Sequence, residues 1–246
     1  MPGKTIICLP TYNEAENITP TVKSILHFLP GAEILIIDDH SPDGTGRIAE
    51  HLAQGDSRIA VLHRPEKAGL GSAYLEGFDI AINRMDAKYI VQMDADLSHP
   101  PEALPRMMRA MAHADLVIGS RYVPGGGTRN WNAARRLISR FGARYARTWL
   151  DLPVHDPTGG FKIWKRRLLQ KVLDYPISAG GYVFQVETTH IAFCMGAVIR
   201  ETPIRFTDRH VGQSKMSPAI ALEAFWRIPA IRLYGPKVVG KGKGLS

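Results

Sequence analysis

The sequence predicts a mostly parallel α/β sheet covered by helices on both faces, and three observations predict it. Short runs rich in Ile, Val and Leu alternate with helical patterns through the first half of the chain. These runs are apolar almost without interruption, as strands buried on both sides are. The chain turns abruptly polar after each run, and in such sheets ligands bind beyond the carboxyl ends of the strands. With 246 residues, 45% of them hydrophobic, the chain can bury one substantial domain and a short appendage. A charged fraction of 22% is ordinary for a globular protein and excludes a disordered one.

Taken in order, strands are expected at Thr5–Leu9, Ile34–Ile37, Ile59–Leu62, Tyr89–Met93 and Leu116–Gly119, each a β-branched or aliphatic run bounded by turn residues. Helices are expected between them near Glu16–Phe28, Gly44–Gln54, Gly71–Asn83 and Pro101–Ala112, where apolar residues recur at helical spacing. Two further helices follow at Ala133–Leu150 and Ala219–Tyr234. No repeat and no linker marks a second domain. The expected organisation is a catalytic domain over 1–215 and a helix with a basic tail over 216–246.

Cys8 and Cys194 sit in apolar runs without paired spacing, so they read as buried thiols of a reducing compartment. The chain passes from Met-Pro-Gly-Lys directly into a strand, with no signal-peptide pattern. The longest apolar run, Ile191 to Ile199, falls far short of the roughly 20 residues a spanning helix needs. A cytosolic protein without a transmembrane domain is the expectation. The formal charge of +8, from 31 Lys and Arg against 23 Asp and Glu, is local. No acidic residue lies between Asp115 and Asp151, and none follows Glu223. No nucleic-acid module accompanies this charge, so nucleic acid is not the expected partner.

The polar strand ends carry the chemistry. The first strand runs into Pro10-Thr11-Tyr12-Asn13-Glu14, the second into Asp38-Asp39-His40-Ser41-Pro42-Asp43, the fourth into Asp94-Ala95-Asp96 and the fifth into Ser120-Arg121-Tyr122. Two carboxylates one residue apart can approach one hard cation, which prefers one or two carboxylates plus diphosphate oxygens. Alone, an Asp-x-Asp after a strand can equally be a turn. A second acidic strand end and an aromatic loop make a nucleotide-diphosphate site the better account. Gly44-Thr45-Gly46-Arg47-Ile48-Ala49 matches a dinucleotide fingerprint, but Asp38, Asp39 and Asp43 intervene where the pyrophosphate would sit. Gly44 and Gly46 are therefore turn and helix-start residues. Among the histidines, none shows metal-ligand spacing, and His99 reads as a turn residue beside the site.

In the order PTYNE, DDHSPDGT, DADLSHPP, GSRY and FTDRHVGQSK, the chain resembles the family 2 glycosyltransferases with a GT-A, Rossmann-like fold. More narrowly it resembles the polyprenyl (dolichyl) phosphate mannose synthases, from about Thr5 to Lys215. That resemblance implies transfer of mannose from GDP-mannose to a polyprenyl phosphate with inversion, supported by Mg²⁺ or Mn²⁺. It implies that Pro10, Tyr12, Glu14, Ile37 and Asp39 meet the nucleotide, and that Asp94, Ala95 and Asp96 meet the donor. Asp94 and Asp96 serve the metal with Ser98, which stands where some relatives carry Gln. Arg121, Arg135 and Ser139 match positions that meet the acceptor phosphate, and Arg209 and Lys215 match the late basic pair over the donor diphosphate. Because a phosphate oxygen is already anionic near neutral pH, no strong general base is required. The same fold could transfer glucose from UDP-glucose, and a non-catalytic sugar-nucleotide-binding scaffold is the alternative outside enzymes.

The two late helices point to a membrane surface. Arg136, Arg140, Arg144 and Arg147 fall on one face of Ala133–Leu150, and Leu137, Ile138, Phe141, Tyr145 and Trp149 on the other. Ala219–Tyr234 repeats the pattern with Phe225 and Trp226 beside Arg227 and Arg232. Peripheral attachment to the cytoplasmic face of a membrane is expected, with a membrane anchor protein as a conceivable partner. Asp156-Pro157-Thr158-Gly159-Gly160-Phe161 resembles an acceptor-site loop, and its glycines would let it gate the site.

Overall fold

A computed structural model describes residues 3–177, 181–208 and 218–236, with the side chains of Tyr182, 218–224 and Tyr234 left aside. Seven strands form one sheet: β1 (Thr5–Thr11), β2 (Ala32–Asp38), β3 (Ile59–His63), β4 (Tyr89–Gln92), β5 (Leu116–Ser120), β7 (Lys162–Lys165) and β8 (Ile199–Pro203). Their order is β3-β2-β1-β4-β7-β5-β8. Every pairing is parallel except those of β7, which runs antiparallel between β4 and β5. A second, two-stranded sheet pairs β6 (Gly127–Arg129) with β9 (Arg205–Thr207).

The helices form two layers. On one face α1 (Ile18–Phe28), α2 (Thr45–Gly55) and α4 (Leu104–Ala110) close a core that includes Ile7, Leu9, Ile34, Ile36, Val91 and Met107. On the other, α3 (Leu70–Asn83), α5 (Ala133–Leu150), α6 (Arg166–Leu173), α7 (Gly181–Cys194) and α8 (Pro218–Tyr234) cover Cys8, Ile37, Ile90 and Trp164. Successive residues of each central strand therefore enter opposite cores, which is why the strands read as unbroken apolar runs. Cys8 and Cys194 are buried free thiols, the first pushed up by burial. Ile228 and Ile231 of α8 join the second core.

Two glycines show how the second crossover is shaped. Gly44 precedes α2 at φ +91°, a left-handed conformation that only glycine adopts without strain. A Cβ on Gly46 would lie 2.9 Å from an Asp38 carboxylate oxygen. Both are turn and helix-start positions, as expected in place of a dinucleotide fingerprint.

In α5 the inward stripe is Ser139, Ala143, Ala146 and Leu150, mostly small side chains that let the helix lie close. Its bulky apolar residues face out instead, with Leu137 70% and Phe141 66% exposed. Tyr145 stacks on Phe225 of α8 at 5.2 Å and donates to its carbonyl at 2.9 Å, so α5 and α8 share one aromatic surface.

Candidate active site

The strand order reverses between β1 and β4, and the crevice beyond their carboxyl ends is where a doubly wound sheet takes a ligand. Three non-glycine residues in the loops there hold positive φ: Asn13 at 58°, His40 at 59° and Leu97 at 59°. Such conformations cost of order 1–3 kcal/mol and persist only where surrounding bonds fix them.

Those bonds are present. The Asn13 amide donates to Ser41 Oγ at 3.1 Å, the Glu14 amide to Thr45 Oγ1 at 2.9 Å, and the Ala15 amide to Asp43 at 3.1 Å. The β1 loop is thus hung on side chains of the β2 loop. Asp38 accepts from Thr11 at 3.2 Å and from Ser41 Oγ at 2.5 Å, which makes it the organiser of its own turn. Glu14 accepts from Asn17 at 2.8 Å. Asp39 lies at the β2 terminus as expected, but its carboxylate accepts from Arg64 and from the amides of Ala68 at 3.2 Å and Gly69 at 3.0 Å. Arg64, absent from the sequence reading, thereby fixes Asp39 against the start of α3, where it also reaches Ser72 and Glu76.

Some expected contacts are placed differently. The Ile37 side chain lies in the core below α3, so close that a Cβ on Gly77 would meet it at 2.3 Å. A strand buried on both faces leaves only backbone to offer a ligand there. Lys67 Nζ sits 3.7 Å over the Tyr12 ring, covering one of the faces expected to stack on a base. Pro10 is half-buried near the end of β1.

The Asp94-Ala95-Asp96 turn follows β4. Asp94 is the more open carboxylate at 29% exposure and accepts from the Tyr74 hydroxyl at 3.3 Å. Burial, with Asp94 beside it, pushes the Tyr74 phenol well above its ordinary value, so it stays protonated and donating. Asp96 is 2% exposed and accepts the Ser98 amide at 3.0 Å. The Ala95 carbonyl takes the Thr21 hydroxyl at 2.8 Å. The Ser98 hydroxyl is fully buried without a hydrogen-bond partner. A buried, unsatisfied hydroxyl on the residue whose amide closes on the Asp96 carboxylate fits a cation that the two would share. Among the described residues no cluster of three or more His, Cys, Asp or Glu could hold a metal alone. The donor set therefore suits a hard cation completed by substrate phosphate oxygens.

The basic side of the crevice begins at β5. Arg121 is 7% exposed and its fork closes on Asp156, Nε at 2.8 Å and Nη2 at 2.7 Å, with Thr158 Oγ1 also at 2.8 Å. The fork expected to meet an acceptor phosphate is thus directed at a carboxylate, because a guanidinium this buried needs a fixed counter-charge. The Asp156 loop is correspondingly no flexible gate: Asp156 is 0% exposed, and its amide is held by Glu201 at 2.9 Å. Tyr122 shares a 2.6 Å hydrogen bond with Ser139, and Arg135 pairs with Asp208 at 2.6 Å while lying 4.3 Å over Trp131. The Trp131 indole N–H is buried without a partner, a second orphan that spacing could not announce. Arg209 and Lys215 lie outside the described residues.

Beside Arg121 an open groove of about 1130 Å³ follows the polar face of α5, lined by Tyr122, Arg140, Arg144, Arg147 and His155. Phe206 links the two sides, meeting His99 at 5.5 Å and the Arg121 guanidinium at 5.6 Å, and the groove's helix carries the exposed aromatic surface.

The model of the family described as Glycosyl transferase family 2 matches residues 6–173. A polyprenol monophosphomannose synthase of Mycolicibacterium smegmatis is 44% identical over 227 residues, 92% of this chain and 85% of that protein. An undecaprenyl-phosphate mannosyltransferase of Micrococcus luteus is 42% identical over 221 residues, 90% of each. Among solved structures, glucosyl-3-phosphoglycerate synthase from Mycobacterium tuberculosis with Mn²⁺, UDP-glucose and phosphoglyceric acid superposes with a TM-score of 0.65 at 21% identity, covering 99% of this chain and 83% of that one. A mannosyltransferase from Pyrobaculum calidifontis in complex with GDP-Man and Mn²⁺ gives 0.63 at 18% identity, over 86% and 58%. At these identities the two structures establish the α/β fold alone.

Proposed function

The chain belongs to glycosyl transferase family 2, and from that premise we infer that it transfers mannose from GDP-mannose to a polyprenyl phosphate, releasing GDP and the β-mannosyl lipid. The observation that carries this reading is that one ring, Phe206, lies between the Asp94-Ala95-Asp96 turn and a basic groove on an amphipathic helix, 5.5 Å from His99 on one side and 5.6 Å from the Arg121 guanidinium on the other. A soluble acceptor would need no exposed Phe141 and Trp226 beside its site.

The acceptor phosphate oxygen attacks the anomeric carbon of mannose, the bond to the diphosphate breaks on the opposite face, and GDP leaves with the electron pair. One such displacement inverts the anomeric centre. Pro10, Tyr12, Glu14, Asp39 and the Ile37 backbone form the nucleotide side, with Ala95 beside the sugar. Asp94, Asp96 and Ser98 would hold Mg²⁺ or Mn²⁺, which when bound neutralises charge on the departing diphosphate. Arg209 and Lys215 are assigned to that same diphosphate by sequence pattern. Arg135 and Ser139 orient the acceptor phosphate, and Arg121, neutralised and locked by Asp156, holds the wall behind them rigid.

The lipid acceptor implies a membrane surface. No helix among the described residues is long and apolar enough to cross one. Attachment on the cytoplasmic face through α5 and α8 accommodates this, their aromatic residues entering the interface and Arg140 and Arg144 meeting anionic headgroups. Donor competition tests the reading. Purified protein, short polyprenyl phosphate and equal labelled GDP-mannose and UDP-glucose should yield lipid-linked mannose; lipid-linked glucose instead would move the chain to a glucosyl-transferring subgroup.

A further inference from the structure

Spacing assigns His99 no more than a turn, yet the structure gives it a place in the donor loop. It is 3% exposed, and its Nδ1 accepts the backbone N–H of Asp94 at 3.0 Å. A nitrogen that accepts carries no proton, so the ring hydrogen sits on Nε2. Two aromatic rings fix the imidazole: Phe161 stacks on it at 5.1 Å and Phe206 meets it edge-on at 5.5 Å. The segment it closes contains Leu97 at φ +59° and both carboxylates. Hydrogen bonds restrain that segment from Thr21 to the Ala95 carbonyl, from the Ser98 amide to Asp96, from the Thr207 amide to the Ser98 carbonyl at 3.2 Å, from the Tyr74 hydroxyl to the Asp94 carboxylate and from the Asp94 amide to His99. At Asp94, the more exposed of the two carboxylates, Tyr74 meets the side chain while His99 holds the backbone amide.

We propose that His99 is a positioning residue of the cation site: its Nδ1 holds the Asp94 backbone so that the Asp94 carboxylate faces the metal. It does not ligate. Its Nδ1 is occupied by an amide, 3.9 Å from the nearer Asp94 oxygen, and no three-residue ligand cluster forms among the described residues. The inference rests on the divalent-metal reading above. Outer partners that orient a metal's ligands are worth about 10–100-fold in affinity, which sets the expected effect.

The chemistry of the imidazole supplies the test. An Asn amide oxygen reaches the Nδ1 position, whereas a Gln amide reaches Nε2. Binding of Mn²⁺ in the presence of GDP, followed by loss of the free-ion electron paramagnetic resonance signal, compares His99→Asn, His99→Gln and His99→Leu with the native protein. The proposal predicts that His99→Asn stays within about 3-fold of native affinity while His99→Gln and His99→Leu weaken it by about tenfold or more. In turnover assays the same two variants should raise the Mn²⁺ requirement more than they lower kcat at saturating metal. Equal losses in Asn and Gln would make the ring a packing element and overturn the proposal, as would native affinity in His99→Gln. Should His99→Leu fail to fold, the Asn–Gln comparison still decides. Absence of Mn²⁺ binding by the native protein would overturn the metal reading itself, a result distinct from equal binding by all variants.

Discussion

Arg121 and Asp156 form a two-point ion pair at the foot of β5, Nε to one oxygen at 2.8 Å and Nη2 to the other at 2.7 Å, with neither residue more than 7% exposed. The pair ties the end of β5 to the loop before β7. Asp156→Asn keeps the shape and removes the counter-charge, leaving a buried guanidinium uncompensated. A loss of about 3–5 kcal/mol in unfolding free energy, read from urea transitions, is the expected outcome.

The same pair predicts acid sensitivity. Burial pushes the Asp156 carboxyl up, but the Arg121 charge and the hydrogen bonds to it prevail and hold it below its ordinary value. A depressed folded value contributes stability that is complete above the unfolded carboxylate pKa near ~4 and lost as pH falls through the folded value. Native protein should therefore lose more stability than Asp156→Asn below about pH 4, in parallel urea titrations.

Lys162 gives the opposite end of the pH scale. Its Nζ is fully buried, 2.7 Å from the Gln185 carbonyl, and burial brings its pKa down to about 7, with Asp156 opposing. Between that value and the ordinary lysine value the unfolded chain holds a proton that the folded one has released. Stability should then rise with pH above 7, by at most about 1.4 kcal/mol per unit. Lys162→Met should abolish that rise in denaturation measured at pH 7 and pH 9.

At the donor turn, Asp96→Asn should lower metal-dependent turnover by about 100-fold or more, a few kcal/mol of transition-state stabilisation. Arg135→Ala should raise the KM for polyprenyl phosphate well above its effect on GDP-mannose, if Arg135 meets the acceptor phosphate as proposed. Separate titrations of the two substrates check both.

The exposed aromatic face supplies a membrane prediction. Phe141→Ser with Trp226→Ser removes side chains 66% and 69% exposed, so unfolding should shift by no more than about 0.5 kcal/mol per site. Partition onto anionic vesicles should fall at least tenfold, each ring being worth about 1.5–3 kcal/mol when buried. Arg140→Glu with Arg144→Glu should weaken the same partition in a salt-dependent way.

How far the sequence revealed these features follows from where each signal resides. The five leading strands and α5 were legible because their periodicity is local, and α5 occupies the expected Ala133–Leu150. The antiparallel β7 was not, since Lys162–Lys165 is four residues long with a lysine at each end, one of them buried. Helix α7 is apolar on most sides and shows no face to read. Within the site, Asp94 and Asp96 announced themselves by spacing. Arg64, Trp131 and Asp156 acquire their roles from contacts between distant segments, as Arg64 does with Asp39 across 25 positions, and no local pattern encodes such a meeting. The gating role read into the Asp156 loop failed for the same reason: its glycines suggest freedom, while a partner from β8 removes it.

The most direct test of the whole account is formation of a mannosyl lipid by the purified chain. Labelled GDP-mannose and a short polyprenyl phosphate would be incubated with Mn²⁺, Mg²⁺ or EDTA, and organic-phase label counted. The account predicts label with either cation, none with EDTA, and a single β-linked mannosyl phosphate product. Label that persists undiminished in EDTA, or no label under any condition from protein that binds GDP, would contradict it.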